Sequence, residues 1–202
     1  YQPKYQISNN ILAYISKIEA ARDVIENAPL VPAYEVSFQK DALVRTVHFG
    51  TALEGNELSF NQAEKLVAVA APNDDALMAG RKADVTGRER DIQEVINYRN
   101  VVAYIEGLGL GSEGEEKYKK TDLKEIHRIT TERILDTQRS GQYRLTQVVI
   151  RNSRTGEISF RPPAAVEVPY QLEELFAWFN SAQAREVNPV LKAGIMHYEL
   201  AR

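Results

Sequence analysis

The sequence contains no cysteine in its 202 residues, which excludes disulfide bonds, thiolate metal sites and thiol nucleophiles. A chain without cysteine is typical of a reducing compartment, and we expect a cytoplasmic location. No apolar run approaches the roughly 18 residues that a membrane-spanning helix needs. The first ten residues, YQPKYQISNN, lack the charged and apolar regions of a secretory signal. Since the first residue is Tyr1, the natural start of the protein is expected upstream.

The chain also lacks a strong excess of charge of either sign. Its net charge is -3, with 26% charged and 44% hydrophobic residues, which are ordinary values for a globular domain. Nucleic acid and anionic membranes are bound by basic surfaces, so neither partner is expected. The length is sufficient for one sizeable body with a substantial apolar core.

Motifs that identify common enzyme classes are missing. The sequence has no G-x-x-x-x-G-K-[ST], no G-x-S-x-G and no dinucleotide fingerprint after a strand. The glycines of GLGLGSEG have the wrong spacing and follow a helical pattern, which predicts a loop. His48, His127 and His197 are far apart and have no metal-ligand spacing. Each histidine is therefore predicted to be structural or exposed, and no metal ligand is assigned.

Helical periodicity and capping patterns account for most of the chain. Apolar residues at three- and four-residue spacing predict helices over about 8–27, 42–54, 59–70, 86–107, 121–136, 168–180 and 189–202. Capping boxes are predicted at Ser59 with Gln62 and at Thr86 with Glu89, and Asn9 or Ser8 is available as the cap of the first helix. The proline-containing run 28–36 is predicted to be an extended connector, and 71–87 a loop. Aromatic residues in the helix over 168–180 are predicted to lie in the core: Phe176, Trp178 and Phe179.

One β-hairpin is predicted near the middle of the second half of the chain. A β-rich run from Tyr143 to Ile150 is followed by the polar turn RNSRTG and by a second run from Glu157 to Phe160, which Pro162-Pro163 stops. A two-stranded ribbon alone is only marginally stable in water. The hairpin should therefore lie against helices or gain a further strand, and its edge is available for pairing.

The stretch GTALEGNELSF, residues 50–60, contains an oddly placed acid. Gly55 is predicted to end a helix, which puts Glu54 in its last turn. The helix macrodipole places partial negative charge at that end, so a carboxylate there is mildly unfavourable. We interpret Glu54 as a group that serves a partner elsewhere in the protein.

Five segments in order resemble the Fic-domain family. TALEGNELS resembles the inhibitory helix of that family, with its pattern of Ser or Thr, three residues, Glu, then Gly or Asn. EVINYRNVVAYI resembles the long helix that follows, and GQYRLTQVVI resembles the start of the flap hairpin. FRPPAAVEVPYQLEELFAWFN resembles the flap exit with its next helix, and NPVLKAGIMHYELAR resembles the helix before the active-site loop. The resemblance covers about residues 35–202.

The sequence departs from the family pattern in two respects. Gly50 occupies the position four residues before the glutamate, where the family has Ser or Thr, and Thr51 lies one step later. The catalytic motif H-P-F-x-[D/E]-G-N-G-R-x-x-R is absent and is expected immediately after Arg202. The resemblance therefore implies a mainly α fold, a Fic-type helical bundle with one β-hairpin flap, incomplete at the C-terminus. It divides into an N-terminal helical region, 1–110, and the first part of the Fic core, 120–202.

The resemblance also implies roles for particular residues. Glu54, Gly55 and Asn56 form the inhibitory, nucleotide-proximal group, in which Glu54 would pair with the second arginine of the missing motif. ATP and Mg²⁺ are the implied substrate and cofactor, and no catalytic residue is assigned within this sequence. The partner is a target protein that pairs with a strand of the flap. The flap positions implied in this docking are Val149, Ile150, Ile158 and Phe160.

Three functions remain open at this point. The first is a self-inhibited protein adenylyltransferase, which transfers AMP from ATP to Ser, Thr or Tyr of a target. The second is a Fic relative that transfers another phosphate-containing group, and the third is a non-catalytic regulatory or protein-binding module. The target protein and the oligomeric state do not follow from the sequence, and homo-oligomerisation is retained as a possibility.

Overall fold

A computed structural model describes residues 1–29, 31–108 and 118–201 of the chain. In this part of the chain the fold is mainly α, with one small antiparallel hairpin, as the sequence predicts. The helices are α1 (Asn9–Asn27), α2 (Pro32–Leu53), α3 (Phe60–Val69), α4 (Ala76–Ala83), α5 (Glu89–Gly107), α6 (Lys120–Thr130), α7 (Val168–Phe179), α8 (Ala182–Arg185) and α9 (Pro189–Ala201). The strands are β1 (Ile150–Arg151) and β2 (Ile158–Phe160). The predicted glycine-rich loop falls largely on 109–117, outside the described residues.

The chain forms two compact units, one from Pro32–Arg144 and one from Tyr1–Val31 with Leu145–Arg202. The first unit contains α2 to α6. Its core is an apolar cluster supplied by α2, α3, α4, α5 and the loops between them: Val47, Leu58, Leu66, Ala76, Ala79, Ala83, Val85, Ile92, Val95 and Ile96. The division predicted from the sequence, 1–110 and 120–202, stays a prediction.

Helix α2 begins earlier than the sequence predicts. The extended connector expected over 28–36 is partly wrong, because Pro32 is the first residue of α2. Proline has no backbone N–H, but the first turn of a helix does not need one, and its fixed φ suits that position. Pro32 therefore marks a helix start, and the described connector residues before it are not helical.

The loop predicted over 71–87 is also partly wrong, since it contains α4. Asp75 is the N-cap, and its carboxylate accepts a hydrogen bond from the Met78 amide at 2.7 Å. The buried face of α4 consists of Ala and Gly residues only: Ala76, Ala79, Gly80 and Ala83. The larger apolar residues of α4, Leu77 and Met78, are exposed, so the large apolar side chains in the sequence do not mark the buried face of this helix.

The capping box at Ser59 and Gln62 is confirmed, with the Gln62 amide donating to the Ser59 hydroxyl at 3.3 Å. The box predicted at Thr86 is wrong, because α5 begins at Glu89 and Arg88 is its N-cap. The Thr86 carbonyl instead accepts a hydrogen bond from the Gln62 side chain at 2.9 Å. Thr86 therefore contacts α3, and the N-cap residue Arg88 makes no side-chain cap hydrogen bond to α5.

A buried amide joins α5 to the end of α6. The Asn97 side chain, only 2% exposed, donates to the carbonyls of Thr130 at 3.0 Å and Glu132 at 2.8 Å. Gln93 donates to the Asn97 side-chain oxygen at 2.9 Å. These bonds satisfy carbonyls that a helix C-terminus leaves without partners, and α6 accordingly ends at Thr130 rather than near residue 136.

The second unit has a smaller core, centred on α7 and α8. Leu175, Trp178, Phe179 and Ala184 form its buried cluster, and Phe176 is also buried, so the predicted core role of the aromatic residues is confirmed. Helices α1 and α9 contain no buried residue.

Two contacts join α1 and the chain segment before it to the C-terminal part of the second unit. The Asn188 side chain donates to Glu19 at 2.8 Å. The ring of Tyr1 meets the edge of Trp178 at 5.7 Å between centroids. Helix α1 is capped at Ser8, one of the two predicted positions, and Glu19 near its middle contacts the C-terminal part of the unit.

The hairpin is shorter than predicted. Ile150 pairs with Phe160 and Arg151 with Ile158, and a register shift separates the two pairs. The run from Tyr143 to Val149 is not a strand, which corrects the prediction. The β-branched residues in this run have no opposite strand. The second strand of the hairpin ends before the prolines that follow Arg161, because proline has no N–H for the ladder.

No helix in the described part of the chain combines the length and the hydropathy required to cross a membrane.

Candidate functional site

The turn after α2 places Glu54 through its backbone. The Gly55 amide donates to the Ala52 carbonyl at 3.0 Å, and the Asn56 amide to the Thr51 carbonyl at 3.2 Å. This pair of bonds is the Schellman pattern, with Glu54 as the C-cap residue. Gly55 has φ of +90°, in the left-handed region that favours glycine. The predicted helix stop at Gly55 is therefore confirmed, and a side chain at this position would be strained.

Asn56 fixes the turn from its buried side. The side chain is 8% exposed, and its amide donates to the Asp91 carbonyl at 2.9 Å and to the Glu94 carboxylate at 3.0 Å. Its oxygen accepts a hydrogen bond from the Leu58 amide at 3.1 Å. Since both ends of this side chain are used within the protein, Asn56 joins the end of α2 to the start of α5.

Arg88 fixes the same turn from its exposed side. Its guanidinium forms a forked pair with the Asp91 carboxylate at 2.8 and 3.0 Å, and it donates to the Gly55 carbonyl at 3.4 Å. Glu57 lies 3.6 Å from the same guanidinium. The hydrogen bond to Asp91, together with these two negative charges, raises the pKa of Arg88.

Glu54 itself is exposed and projects from this fixed turn. Within the described residues its carboxylate has no hydrogen bond and no ion pair, although Arg88 lies beside the turn and pairs with Asp91 and Glu57 instead. A carboxylate at a helix C-cap, without a cation to offset the macrodipole, has no stabilising role in this unit. The geometry leaves the Glu54 carboxylate accessible to a group outside it.

The departure at Gly50 has a direct structural reason. A Cβ atom added at Gly50 would lie 2.6 Å from the hydroxyl end of the Tyr98 ring, so a Ser or Thr here would displace that ring. The neighbouring Thr51 is buried, and its hydroxyl donates to the Val47 carbonyl at 3.0 Å within α2. The Thr51 hydroxyl therefore stays inside its own helix and does not replace the missing one.

Sequence reasoning missed Arg88 and Asp91 as residues that hold the turn. Their i, i+3 spacing at the start of α5 is the pattern of a local ion pair, which predicts the pair itself. It does not predict that the pair reaches back to Gly55, since that contact spans 33 residues of sequence.

The four hairpin residues expected to dock a target lie together, but differ in exposure. Ile150 and Phe160 form a cross-strand pair and are 55% and 38% exposed. Val149 and Ile158 are half-buried. The hairpin therefore presents one exposed apolar pair, and its other two apolar residues are partly covered.

The turn of the hairpin is closed by its own polar groups. The Asn152 amide donates to the Glu157 carbonyl at 2.9 Å, and the Gly156 amide to the Asn152 carbonyl at 2.9 Å. The Asn152 side chain accepts from the Arg154 amide at 2.9 Å, and Gly156 has φ of +72°. Gln147 joins the two open ends by donating to the Pro162 carbonyl at 3.0 Å. These bonds hold the short ladder in one register.

The described residues do not fit the implied Mg²⁺. Within residues 1–29, 31–108 and 118–201, no three His, Asp or Glu side chains come together as a possible ligand set. The buried carboxylates of Asp74 and Asp91 are both paired with cations of the chain, Lys82 and Arg88. We therefore derive no chemical step through the metal ion.

Comparison with known proteins supports the resemblance noted in the sequence. Residues 117–202 match the sequence model of the Fic/DOC family. The chain is 26% identical over 157 residues to protein adenylyltransferase fic-1 of Caenorhabditis elegans, an alignment that covers 76% of this chain and 26% of that protein. The corresponding Caenorhabditis briggsae protein is 27% identical over 157 residues, with the same coverage.

The chain spans about a quarter of the length of these curated relatives. The helical architecture and the small hairpin of the described residues agree with the family match over the last 86 residues. The chain is therefore similar to the Fic/DOC family over residues 117–202.

Proposed function

We propose that this chain supplies the inhibitory helix and the target-docking hairpin of a self-inhibited protein adenylyltransferase. The reaction would transfer AMP from ATP to a Ser, Thr or Tyr hydroxyl of a target protein. The names of the relatives support this reaction class. The sequence contains no copy of the family's catalytic motif, and the proposal assigns none of these 202 residues to the transfer step itself.

The observation that carries the proposal is the state of Glu54. Its carboxylate is exposed, it has no partner within the described residues, and the dipole of α2 disfavours it. At the same time Asn56 and Arg88 hold its turn from two sides. A charged group that contributes nothing to its own unit, on a backbone that is held firmly, is suited to bind a cation elsewhere.

The proposed partner is an arginine of the catalytic motif. A carboxylate and a guanidinium form charge-assisted hydrogen bonds that can be bidentate. An arginine held in this way cannot bind the terminal phosphate of ATP at the same time, so the nucleotide would not adopt the reactive pose. The Glu54 carboxylate and the terminal phosphate of ATP therefore compete for one guanidinium, and this competition determines the extent of inhibition.

The test uses the gene product that continues past residue 202 into the catalytic motif. Glu54→Gly should increase automodification by labelled ATP, because the inhibitory pair is lost. Hydrogen bonds to charged groups contribute about 1.5–3 kcal/mol, which corresponds to roughly a ten-fold to hundred-fold increase in labelling rate.

Glu64→Gly is the matched control, since Glu64 is an exposed glutamate on the neighbouring helix α3. It should leave labelling unchanged. Equal labelling of the wild type and Glu54→Gly, with nucleotide binding intact, would remove the inhibitory role of Glu54.

In the same proposal, the hairpin aligns the target by pairing one of its strands with the segment to be modified. The exposed Ile150–Phe160 pair supports this role, since it offers apolar contact next to an open strand edge. Backbone pairing places a target hydroxyl without dependence on its neighbouring side chains. ATP and Mg²⁺ enter with the catalytic motif.

A binding module without catalysis is the second candidate. The exposed hairpin favours it, because docking through a strand edge needs no catalytic group. The coding sequence after residue 202 distinguishes the two: an intact motif supports the transferase and a degenerate motif supports the binding module. Labelling with ATP, compared with other phosphate-containing donors, then distinguishes AMP transfer from transfer of a different group.

A further inference from the structure

The hairpin carries positive charge in a chain that is negative overall. Residues 145–163 contain three arginines, Arg151, Arg154 and Arg161, and one acid, Glu157. The segment therefore has a net charge of about +2 at neutral pH, whereas the whole chain has -3. Acids return immediately afterwards, at Glu167, Glu173 and Glu174, so the positive charge ends with the hairpin, although Arg139 and Arg144 precede it in sequence.

The arginines are placed at both ends of the short ladder. Arg151 ends β1 and donates to the Gly156 carbonyl at 2.9 Å, and Arg154 lies in the turn. Arg161 follows β2 at the opposite end of the hairpin. All three side chains are exposed. Within the described residues, none of them forms an ion pair with an acid of the chain, and Glu157 is instead in contact with the Thr155 hydroxyl at 3.3 Å.

An apolar pair lies between these charges. Ile150 and Phe160 face each other across the ladder and remain substantially exposed. In the described part of the chain the sheet contains only β1 and β2, so each strand has an outer edge without a sheet partner. An open edge offers backbone N–H and C=O groups to an incoming extended chain.

We propose that the hairpin binds an extended acidic peptide segment, in which an apolar residue packs on Ile150 and Phe160 and carboxylates on either side meet the arginines. This inference rests on the proposed docking role of the hairpin and specifies the chemical class of its target. Arginine suits this task, because its planar guanidinium binds carboxylates in a forked geometry. Acidic sequences flanking the modified hydroxyl would then define the preferred targets.

A nucleic acid is the other polyanion that such arginines could bind, but the hairpin favours a peptide. A peptide backbone can continue the hydrogen-bonded ladder at the strand edge, whereas a phosphate backbone has no donor and acceptor pattern that matches it. The exposed Ile150–Phe160 pair also has little to contribute to a phosphate backbone.

The test measures binding of short fluorescent peptides to the 202-residue chain by anisotropy. The peptides share a central valine flanked by threonines. They differ only at every second position, which is Glu in the first peptide, Gln in the second and Lys in the third. The Glu peptide should bind about ten times more tightly than the Gln peptide, since three exposed ion pairs each add a small increment. The Lys peptide should show no binding, and the preference should shrink as salt is added.

Variants test whether the hairpin arginines are responsible. Substituting Arg151→Gln, Arg154→Gln and Arg161→Gln together should remove the preference for the Glu peptide. Arg185→Gln, an exposed arginine of α8 in the same unit, should leave it unchanged. The triple Arg→Glu variant should reverse the preference and bind the Lys peptide, which a variant that merely fails to fold would not do.

Backbone pairing is tested by methylating the amides of the Glu peptide, which should abolish binding because a methylated amide cannot join the ladder. Equal affinity for the Glu and Gln peptides would overturn the proposal. Binding of an RNA or DNA oligonucleotide that depends on the same arginines, with no peptide binding, would overturn it in favour of a nucleic-acid partner. These measurements need no nucleotide transfer, so their failure differs from a failure of Glu54→Gly to raise labelling.

Discussion

The two units differ in what they bury. In the described residues of Pro32–Arg144, several polar side chains are buried and each has hydrogen-bond partners, among them Asn56, Asp74, Asp91 and Asn97. The buried residues described in the other unit are all apolar, and its helices α1 and α9 bury none. Satisfied buried polar groups specify one arrangement of helices, because each alternative would leave a donor or acceptor without a partner.

This difference in buried polar groups matches the functional feature proposed for each unit. Glu54 lies on the unit with the polar network, where the position of a single carboxylate has to be fixed. The hairpin lies on the unit with fewer buried groups, where a strand edge and an exposed apolar pair have to remain accessible. The comparison implies that substitutions of similar chemistry should have unequal effects in the two units.

The largest expected difference is in core packing. Leu66→Ala, at a position with 0% exposure, should lower the free energy of unfolding by about 2–5 kcal/mol, because it leaves a cavity in the core of the first unit. Ile18→Ala in α1, at a position 46% exposed, should cost less than about 1 kcal/mol. Urea unfolding followed by circular dichroism measures both. Equal losses would contradict the proposed contrast between the units.

A smaller difference in stability is expected between two Gly→Ser substitutions, one in each unit. Gly50→Ser places a Cβ atom 2.6 Å from the Tyr98 ring, and we expect a loss of about 1 kcal/mol as that ring moves. Gly194→Ser in α9 meets no atom within 4 Å, so higher helix propensity should stabilise the protein by a few tenths of a kcal/mol, about 0.3.

Thermal unfolding of the two variants gives the comparison directly. A Tyr98→Leu substitution in the Gly50→Ser background should recover part of the loss, since the ring end is the group in the way. If Gly50→Ser were as stable as Gly194→Ser, the close approach of Tyr98 would not explain the missing hydroxyl.

The smallest effect expected concerns acid stability. Hydrogen bonds from Lys82, at 2.8 and 2.9 Å, and from the Ala71 amide lower the pKa of Asp74 below its ordinary value of 3.8. A carboxyl whose pKa is lower in the folded protein stabilises it above the unfolded pKa, and this contribution is lost as the pH falls below 3.8 toward the folded value. Unfolding free energies measured from neutral pH down to acid should show this fall.

Asp74→Asn should weaken this acid dependence, and Lys82→Met should weaken it in the same way because it removes the ammonium group that donates two hydrogen bonds to the carboxylate. An unchanged acid slope in both variants would show that the pair does not contribute.

Features encoded within a few residues could be predicted from the sequence. The cap at Ser8, the box at Ser59 and Gln62 and the helix stop at Gly55 each depend on local hydrogen bonds or on one backbone angle. The exposed Glu54 could likewise be identified as anomalous, because the macrodipole argument needs only the position of the helix end.

Features that depend on distant contacts could not be predicted in this way. Helix α4 is recognisable only once Ala79 and Gly80 are packed against the core, with Gly80 close to the Val85 carbonyl. The carbonyl of Thr86 has its partner 24 residues away, in Gln62, rather than in a local cap. The role of Asn56 depends on its contact with α5. The end of the ladder at Ile150 depends on the prolines that follow the opposite strand of the hairpin.

The hydrogen bond between Asn188 and Glu19 has a consequence for biosynthesis. It joins residues 169 positions apart, whereas the unit from Pro32 to Arg144 is continuous in sequence. Because a ribosome releases the chain from its N-terminus, the continuous unit can complete its core while the C-terminal helices are still unmade. The bond between Glu19 and Asn188 can form only after residue 188 has been synthesised, so this contact of α1 is completed later than the core of the continuous unit.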